Sequence, residues 1–345
     1  MRIVKVNASK KYNIYIDRGL LSEAGEYIRE AAGGNRAVVV TDSNVDKVHS
    51  EQLMNSLRNS GYDAVKYVIP AGEESKNLQV LAEILSFMAA NHFSRKDVAV
   101  ALGGGVTGDI TGFAAAVYMR GIRYVQIPTT VLAAVDSSVG GKTAVDLPEG
   151  KNLAGAFCQP SAVICDTAVF DTLAERDYNN GFAEVIKYGM IADEDIFDIL
   201  ERSIDEIIER CVKIKADIVN EDEFESGRRQ ILNFGHSIGH AYEKLSGFSM
   251  LHGEAVACGM VKICRIAAAK GICADSCTDR LTEALMKFGL PVKADYSAED
   301  VAEMMKMDKK ASGDSINLVL PLKPGRVKIE KTPLESLKDL LETGE

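Results

Sequence analysis

Residues 97–109 read DVAVALGGGVTGD, and this stretch decides the fold. The apolar run Asp97–Leu102 reads as a strand, Gly103-Gly104-Gly105 stops it, and the sequence up to about Val117 reads as a helix. Gly103-Gly104-Gly105-Val106-Thr107-Gly108 fits G-x-G-x-x-G between strand and helix, where backbone N–H groups can hold a pyrophosphate. The fit is imperfect. The motif is not in the first strand–helix–strand unit, and no acidic residue follows about 20 positions later. Asp42, at the end of an earlier strand, is the candidate for a ribose contact. A tight strand–helix turn alone would carry the same glycines.

On either side the pattern repeats. Val4–Val6, Tyr12–Ile16, Ala37–Val40, Val65–Ile69, Tyr124–Ile127 and Ala162–Cys165 read as strands. Between them, helices are expected from Leu20 to Ala32, up to about Asn59, and over Leu78–Ala90. Strands alternating with helices of this length imply a doubly wound, mostly parallel α/β sheet. After about Asp171 the texture is helical almost continuously from Leu173 to Met307, and a late hairpin is expected around Pro324-Gly325. The chain is therefore expected to divide into an α/β domain, 1–172, and a mainly helical domain, 173–345.

Two more loops follow strands and would face the same crevice of an open sheet. One is Ala71-Gly72-Glu73-Glu74-Ser75-Lys76; the other is Pro128-Thr129-Thr130. Each alone reads as a cap or a turn, but three such loops favour a nucleotide site. Gly141-Lys142-Thr143 echoes the end of a P-loop, yet Asp136 stands where its first glycine belongs, so that reading is rejected. Lys142 and Lys151-Asn152 remain candidates to contact an anion.

The helical half carries the sharper signal. Arg229, Asn233, His236 and His240 fall at i, i+4, i+7 and i+11, and would line one face of a continuous helix. A solvated stripe would carry Glu and Lys; Arg, Asn and two His suit a metal and an oxyanion. His252 follows nearby, and Asn180, Glu184 and Lys187 occupy i, i+4 and i+7 of another helix. Spacing alone would take His240 as a metal ligand.

Composition bounds the rest. The 345 residues carry a net charge of −10 with 46% hydrophobic residues, which disfavours nucleic-acid binding. An anionic substrate must then meet a local cluster of Lys and Arg. Seven cysteines (Cys158, Cys165, Cys211, Cys258, Cys264, Cys273, Cys277) include no C-x-x-C pair and read as reduced thiols. No apolar run reaches the ~18–20 residues of a membrane span, and the N-terminus lacks a signal-peptide block. A cytoplasmic protein without a membrane partner is expected.

The segments GEESK (72–76), LGGGVTGD (102–109), YMRG (118–121) and IPTTVLAAVDSSVGGKTAVD (127–146) closely resemble those of 3-dehydroquinate synthases. So do GKNLAGAF (150–157), AEVIKYG (183–189), LNFGHSIGHA (232–241), LHGEAVACGM (251–260) and MDKK (307–310). The resemblance runs in order through nearly the whole chain and implies a free-standing enzyme. It implies that Glu184, His236 and His252 hold one divalent metal, zinc or cobalt, and that His240 contacts substrate instead.

The NAD contacts it implies are Asp42, Gly72, Glu73, Lys76, Gly105, Val106, Asp109, Thr129, Thr130, Lys142, Lys151, Phe170 and Thr172. For the substrate they are Asp136, Lys142, Asn152, Lys187, Lys215, Arg229, Asn233, His240 and a lysine of the pair Lys309-Lys310. Arg120 resembles an arginine that reaches substrate phosphate from the neighbouring subunit, which implies a homodimer. The implied reaction converts 3-deoxy-D-arabino-heptulosonate 7-phosphate to 3-dehydroquinate and phosphate. Its steps are transient oxidation by NAD, β-elimination of phosphate, reduction and aldol closure.

Competing readings are a metal-dependent polyol dehydrogenase, another sugar phosphate cyclase and a non-catalytic NAD sensor. The first would need no anion cluster such as Lys142, Asn152, Arg229 and Arg120. The second would not need Arg229 and Asn233 as carboxylate partners. The third would be expected to have lost ligands.

Overall fold

A computed structural model describes residues 1–309 and 313–344, with the side chains of Asp308 and Lys309 left undescribed. The chain forms two compact units. Unit 1 comprises Met1–Ala174 and Ser203–Phe224; unit 2 comprises Glu175–Arg202 and Glu225–Glu345.

Unit 1 is built on strands β1 (Arg2–Asn7), β2 (Lys11–Asp17), β3 (Arg36–Asp42), β4 (Asp63–Ile69), β5 (Val98–Gly103), β6 (Arg123–Pro128), β7 (Lys142–Leu147), β8 (Gly150–Phe157) and β9 (Ala162–Asp166). Its helices are α1 (Ala24–Ala32), α2 (Glu51–Asn59), α3 (Leu78–Ala90) and α4 (Gly105–Val117). A seven-stranded sheet runs in the order β1-β2-β9-β6-β5-β3-β4. Only the β1–β2 pairing in it is antiparallel. The central strands β5 and β9 are buried at every position, as strands covered on both faces must be.

The strand order explains where a ligand could sit. From β3 the chain steps outward to β4, then returns to place β5 on the other side of β3. That reversal opens a crevice at the carboxyl ends of β3 and β5. Asp42 ends the first strand and Gly103 the second.

One feature departs from the expected division at residue 172, and another from the expected set of strands. The segment 203–224 returns to unit 1, where helix α5 (Ile204–Glu221) packs on β1 and β2. Its Ile207, Ile208, Cys211, Val212, Ala216 and Val219, at i, i+1, i+4, i+5, i+9 and i+12, bury an apolar stripe there. The second is the antiparallel β7–β8 hairpin, hidden in the sequence by the polar, glycine-bearing run before it.

Unit 2 contains α6 (Glu175–Ile191), α7 (Ile196–Ile199), α8 (His236–Leu245), α9 (His252–Ala269), α10 (Asp275–Lys287), α11 (Ala298–Lys309) and α12 (Leu337–Thr343). It also holds the hairpin β10 (Ser315–Lys323) and β11 (Arg326–Pro333), turning at Pro324-Gly325. The continuous helix expected over Arg228–His240 is not one helix. Arg228–Asn233 is a 3-10 turn, and α8 begins only at His236. Gly235 between them has φ 78°, the left-handed region that a glycine enters without strain. The i, i+4, i+7, i+11 face therefore does not exist as a helical stripe.

Candidate active site

In unit 1 the loops after β3, β4, β5 and β6 gather at the sheet's carboxyl edge. Thr129 N–H donates to Gly103 O (3.0 Å), and Ala71 N–H donates to Ser43 Oγ (3.1 Å). Gly105 opens α4, so Gly105 and Val106 present N–H groups of its first turn. A Cβ built at Gly108 would stand 2.6 Å from Gln126 Oε1, so α4 lies close against β6. Asp42 Oδ1 accepts from Asn44 N–H (2.9 Å) and Val45 N–H (3.2 Å). Thr172 Oγ1 meets His49 Nε2 at 2.9 Å, and Phe170 is buried beside it in the chain.

Lys76 ties three of the expected contacts together. Its Nζ donates to Asp109 Oδ2 on α4 and to Asn152 Oδ1 on β8, each at 2.6 Å. Asn152 holds a left-handed backbone (φ 57°), with its N–H on Asp146 Oδ1 at 2.8 Å. Lys151 Nζ lies 3.5 Å from Glu73 Oε1 across the same corner. Burial raises the Asp109 carboxyl; on Lys76 burial is outweighed by Asp109 and Glu73, and its pKa rises too. The two directions favour different protonation of Asp109. The 2.6 Å contact decides for the ion pair, since a neutral carboxyl would leave a buried ammonium uncompensated.

Asp136 and Lys215 also meet in unit 1. Lys215, on α5, ion-pairs with the Asp136 carboxylate, and its Nζ donates to Asp136 O at 2.6 Å. The sequence reading put Lys215 in the second domain; the return of α5 moves it to the first. Lys142 is exposed at the start of β7, and Arg120 is exposed in the turn after α4 with φ 66°.

The other cluster lies within unit 2. Glu184 and Lys187, an ion pair on α6, are both fully buried. Glu184 Oε1 stands 3.4 Å from His236 Nε2 and 3.3 Å from His252 Nε2. These separations exceed the ~2.7–2.9 Å of a charge-assisted hydrogen bond. They match the about 3.3–3.4 Å between neighbouring donors of a tetrahedral ion with bonds of ~2.0–2.1 Å. Both rings also have their second nitrogen occupied: His236 Nδ1 faces Phe234 O at 3.1 Å, and His252 Nδ1 faces Glu243 Oε1 at 3.5 Å. The three residues thus fit a divalent ion.

Burial opposes ionisation of Glu184, but Lys187 and the two histidines outweigh it and hold its pKa well below the usual range. Burial likewise opposes a charged His252, yet Glu184 and Glu243 push its pKa up to about 10.

A second set, His240, Glu243 and His252, also brings donor atoms close together. It fits less well. His240 Nε2 is 4.0 Å from Glu243 Oε2, whereas His252 approaches the other oxygen through Nδ1.

Elsewhere in unit 2, Asn233 Nδ2 donates to Glu225 Oε1 at 2.7 Å, and Arg229 is buried. Glu225 and Glu243 were missed by the sequence reading; each lies three or four residues from a chosen residue and carries no signal of its own. Asn180 serves as a cap instead of a site group: its Oδ1 accepts from Glu254 N–H (3.2 Å) at the start of α9. Arg176 grips Glu254 through two bonds of 2.6 and 2.8 Å, clamping α6 to the turn that carries His252. Lys310 and the side chain of Lys309 lie outside what the structure describes.

Residues 66–180 match the model of the 3-dehydroquinate synthase N-terminal region, and residues 181–311 match that of its C-terminal region. A 3-dehydroquinate synthase of Clostridium acetobutylicum is 44% identical over 331 residues, 93% of each chain. A solved 2-deoxy-scyllo-inosose synthase, complexed with carbaglucose-6-phosphate, NAD+ and Co2+, superposes with TM-score 0.89 at 25% identity, covering 99% of both chains. The 2-epi-5-epi-valiolone synthase of Streptomyces hygroscopicus, with NAD+ and Zn2+ bound, gives 0.88 at 26%, covering 100% of this chain and 99% of that one. With two consecutive regional matches and a relative of this identity along nearly its full length, the chain belongs to the 3-dehydroquinate synthase family of enzymes.

Proposed function

We propose that the chain converts 3-deoxy-D-arabino-heptulosonate 7-phosphate to 3-dehydroquinate and phosphate, with NAD and one divalent ion as resident cofactors. The observation that carries the reading is the Glu184–His236–His252 set, with buried Lys187 paired to Glu184 and Arg229 buried in the same unit. A metal site flanked by buried cations suits a substrate with two anionic groups. A polyol dehydrogenase would have no use for those cations. When bound, the ion would polarise the hydroxyl being oxidised and NAD would take and return the hydride.

The chain's own residues bind and orient. Asp42, Gly72, Glu73, Lys76, Gly105, Val106, Asp109, Thr129, Thr130, Lys142, Lys151, Phe170 and Thr172 are the nucleotide contacts of this reading, and unit 1 is its nucleotide domain. Lys187, Arg229 and Asn233 are the substrate's anion and hydroxyl partners in unit 2. Asn233 is fixed for that by Glu225. His240, 41% exposed and 4.0 Å from Glu243, is positioned to move a proton at Nε2. Asp136, Lys142, Asn152 and Lys215 are the remaining substrate contacts of this reading.

Arg120 is assigned to the phosphate of a substrate bound by a second copy, in a homodimer. Its exposure and left-handed backbone support this, because strain outside the core persists where a site needs it. No helix among the described residues is long and apolar enough to cross a membrane. A cytoplasmic location is part of the proposal.

The test is substrate choice. With NAD and zinc or cobalt supplied, purified protein should release phosphate from the heptulosonate phosphate. Heptulose and hexose phosphates without a carboxylate should be inert. Equal rates on the latter would transfer the reading to another cyclase class.

A further inference from the structure

Glu243 sits on α8, one turn after His240, and is 4% exposed. Burying a carboxylate is costly, and leucine would fill the same place at less cost. The contacts of Glu243 give it a use. Oε1 stands 3.5 Å from His252 Nδ1, while His252 Nε2 stands 3.3 Å from Glu184 Oε1. A ring held between two carboxylates can serve as a neutral ligand in one way here. Its proton must be on Nδ1, facing Glu243, and its lone pair on Nε2, facing the ion.

We infer that Glu243 is a positioning residue that sets the tautomer and ring orientation of His252, and through them the metal affinity. The inference rests on the reading of Glu184, His236 and His252 as ligands. His236 does not share this dependence, because its Nδ1 is anchored by a main-chain oxygen, Phe234 O, at 3.1 Å. The two imidazoles therefore differ in design. One is oriented by backbone that no substitution removes, the other by a single side chain. Glu243 is not itself a ligand in this arrangement: using it would require His252 Nδ1 and would take His252 away from Glu184 and His236.

The experiment measures zinc affinity by competition with a chromogenic chelator in wild type, Glu243→Gln, Glu243→Leu and His252→Ala. Glu243→Gln keeps shape and one acceptor, so affinity should fall about tenfold; Glu243→Leu removes the acceptor and should cost about a hundredfold. Chelator-treated Glu243→Gln should melt like the wild type, which separates positioning from a folding defect. In 15N spectra of the zinc-loaded wild type, His252 should carry its proton on Nδ1. That signal should move in both variants while the His236 signal stays.

Affinity within threefold of wild type in Glu243→Leu would overturn the inference. So would loss in Glu243→Gln as complete as in His252→Ala, since Glu243 would then be a ligand. If the wild type binds no divalent ion, the ligand reading itself falls and takes the inference with it.

Discussion

Lys187→Met tests the electrostatics of the metal cluster without touching a ligand. Lys187 is fully buried and pairs with Glu184, also fully buried. Removing one member of a buried pair costs about 3–5 kcal/mol, because the other charge stays behind. Here His236 and His252 still approach the Glu184 carboxylate at 3.4 and 3.3 Å, so the loss belongs at the low end, about 3 kcal/mol. Unit 2 is about 150 residues long, and a unit of that size loses roughly 2–4 °C in Tm per kcal/mol. In chelator, the variant's unit 2 transition should fall by about 6–12 °C. Zinc supplies the missing charge beside Glu184 and no longer meets the Lys187 ammonium. Saturating zinc should therefore stabilise the variant more than the wild type and at least halve the gap. Scanning calorimetry with and without zinc reads both numbers. A variant that melts within about 2 °C of wild type in chelator, or a gap that zinc leaves unchanged, would refute the assignment of Lys187 as the partner of Glu184.

Other expectations follow from the same geometry. Asp166→Ala strips three backbone N–H groups (Gly19 at 2.7 Å, Leu21 at 2.8 Å, Ala168 at 2.9 Å) of a buried acceptor. Unit 1 should lose about 2–4 kcal/mol, read by its calorimetric transition, while zinc content stays unchanged. His252→Ala should purify with little metal and His240→Ala with a full complement; elemental analysis showing the reverse would restore the ligand choice made on spacing alone. Arg120→Ala should lose turnover and keep NAD binding, and mixing it with Glu184→Ala should restore part of the activity through hybrid dimers. An active monomer, or no complementation at any ratio, would end the cross-subunit role.

Strong local patterns were legible and long-range returns were not. The run Asp97–Thr107 carried strand, glycine turn and helix together, because each residue's propensity agreed with the final state. Asp42 was legible only as the end of an earlier strand, and β3 does end there, beside the reversal in strand order. Lys215 was assigned to the wrong unit because nothing in a helical pattern says which body the helix packs against. The Arg229–His240 stripe failed at one residue. A glycine inside an apparent helix is usually tolerated, but Gly235 here turns left-handed and starts a new helix at His236. That break takes Arg229 and Asn233 off the stripe, but His236 and His240 stay one turn apart on α8, so spacing alone cannot tell which of them is the ligand. Glu243 was invisible for another reason, since a lone glutamate on a helical segment reads as solvent-exposed until its burial is seen, and Glu225, in a bend, shows itself only through its bond from Asn233.

On the proposed function, NAD is used and restored within each turnover of a phosphate-eliminating reaction. The direct measurement follows phosphate release and absorbance at the NADH band together, with NAD supplied far below the substrate. Many phosphates should be released per NAD, with no accumulation of NADH. NADH rising in step with product, with turnover stopping once NAD is spent, would contradict it and return the chain to the dehydrogenase reading.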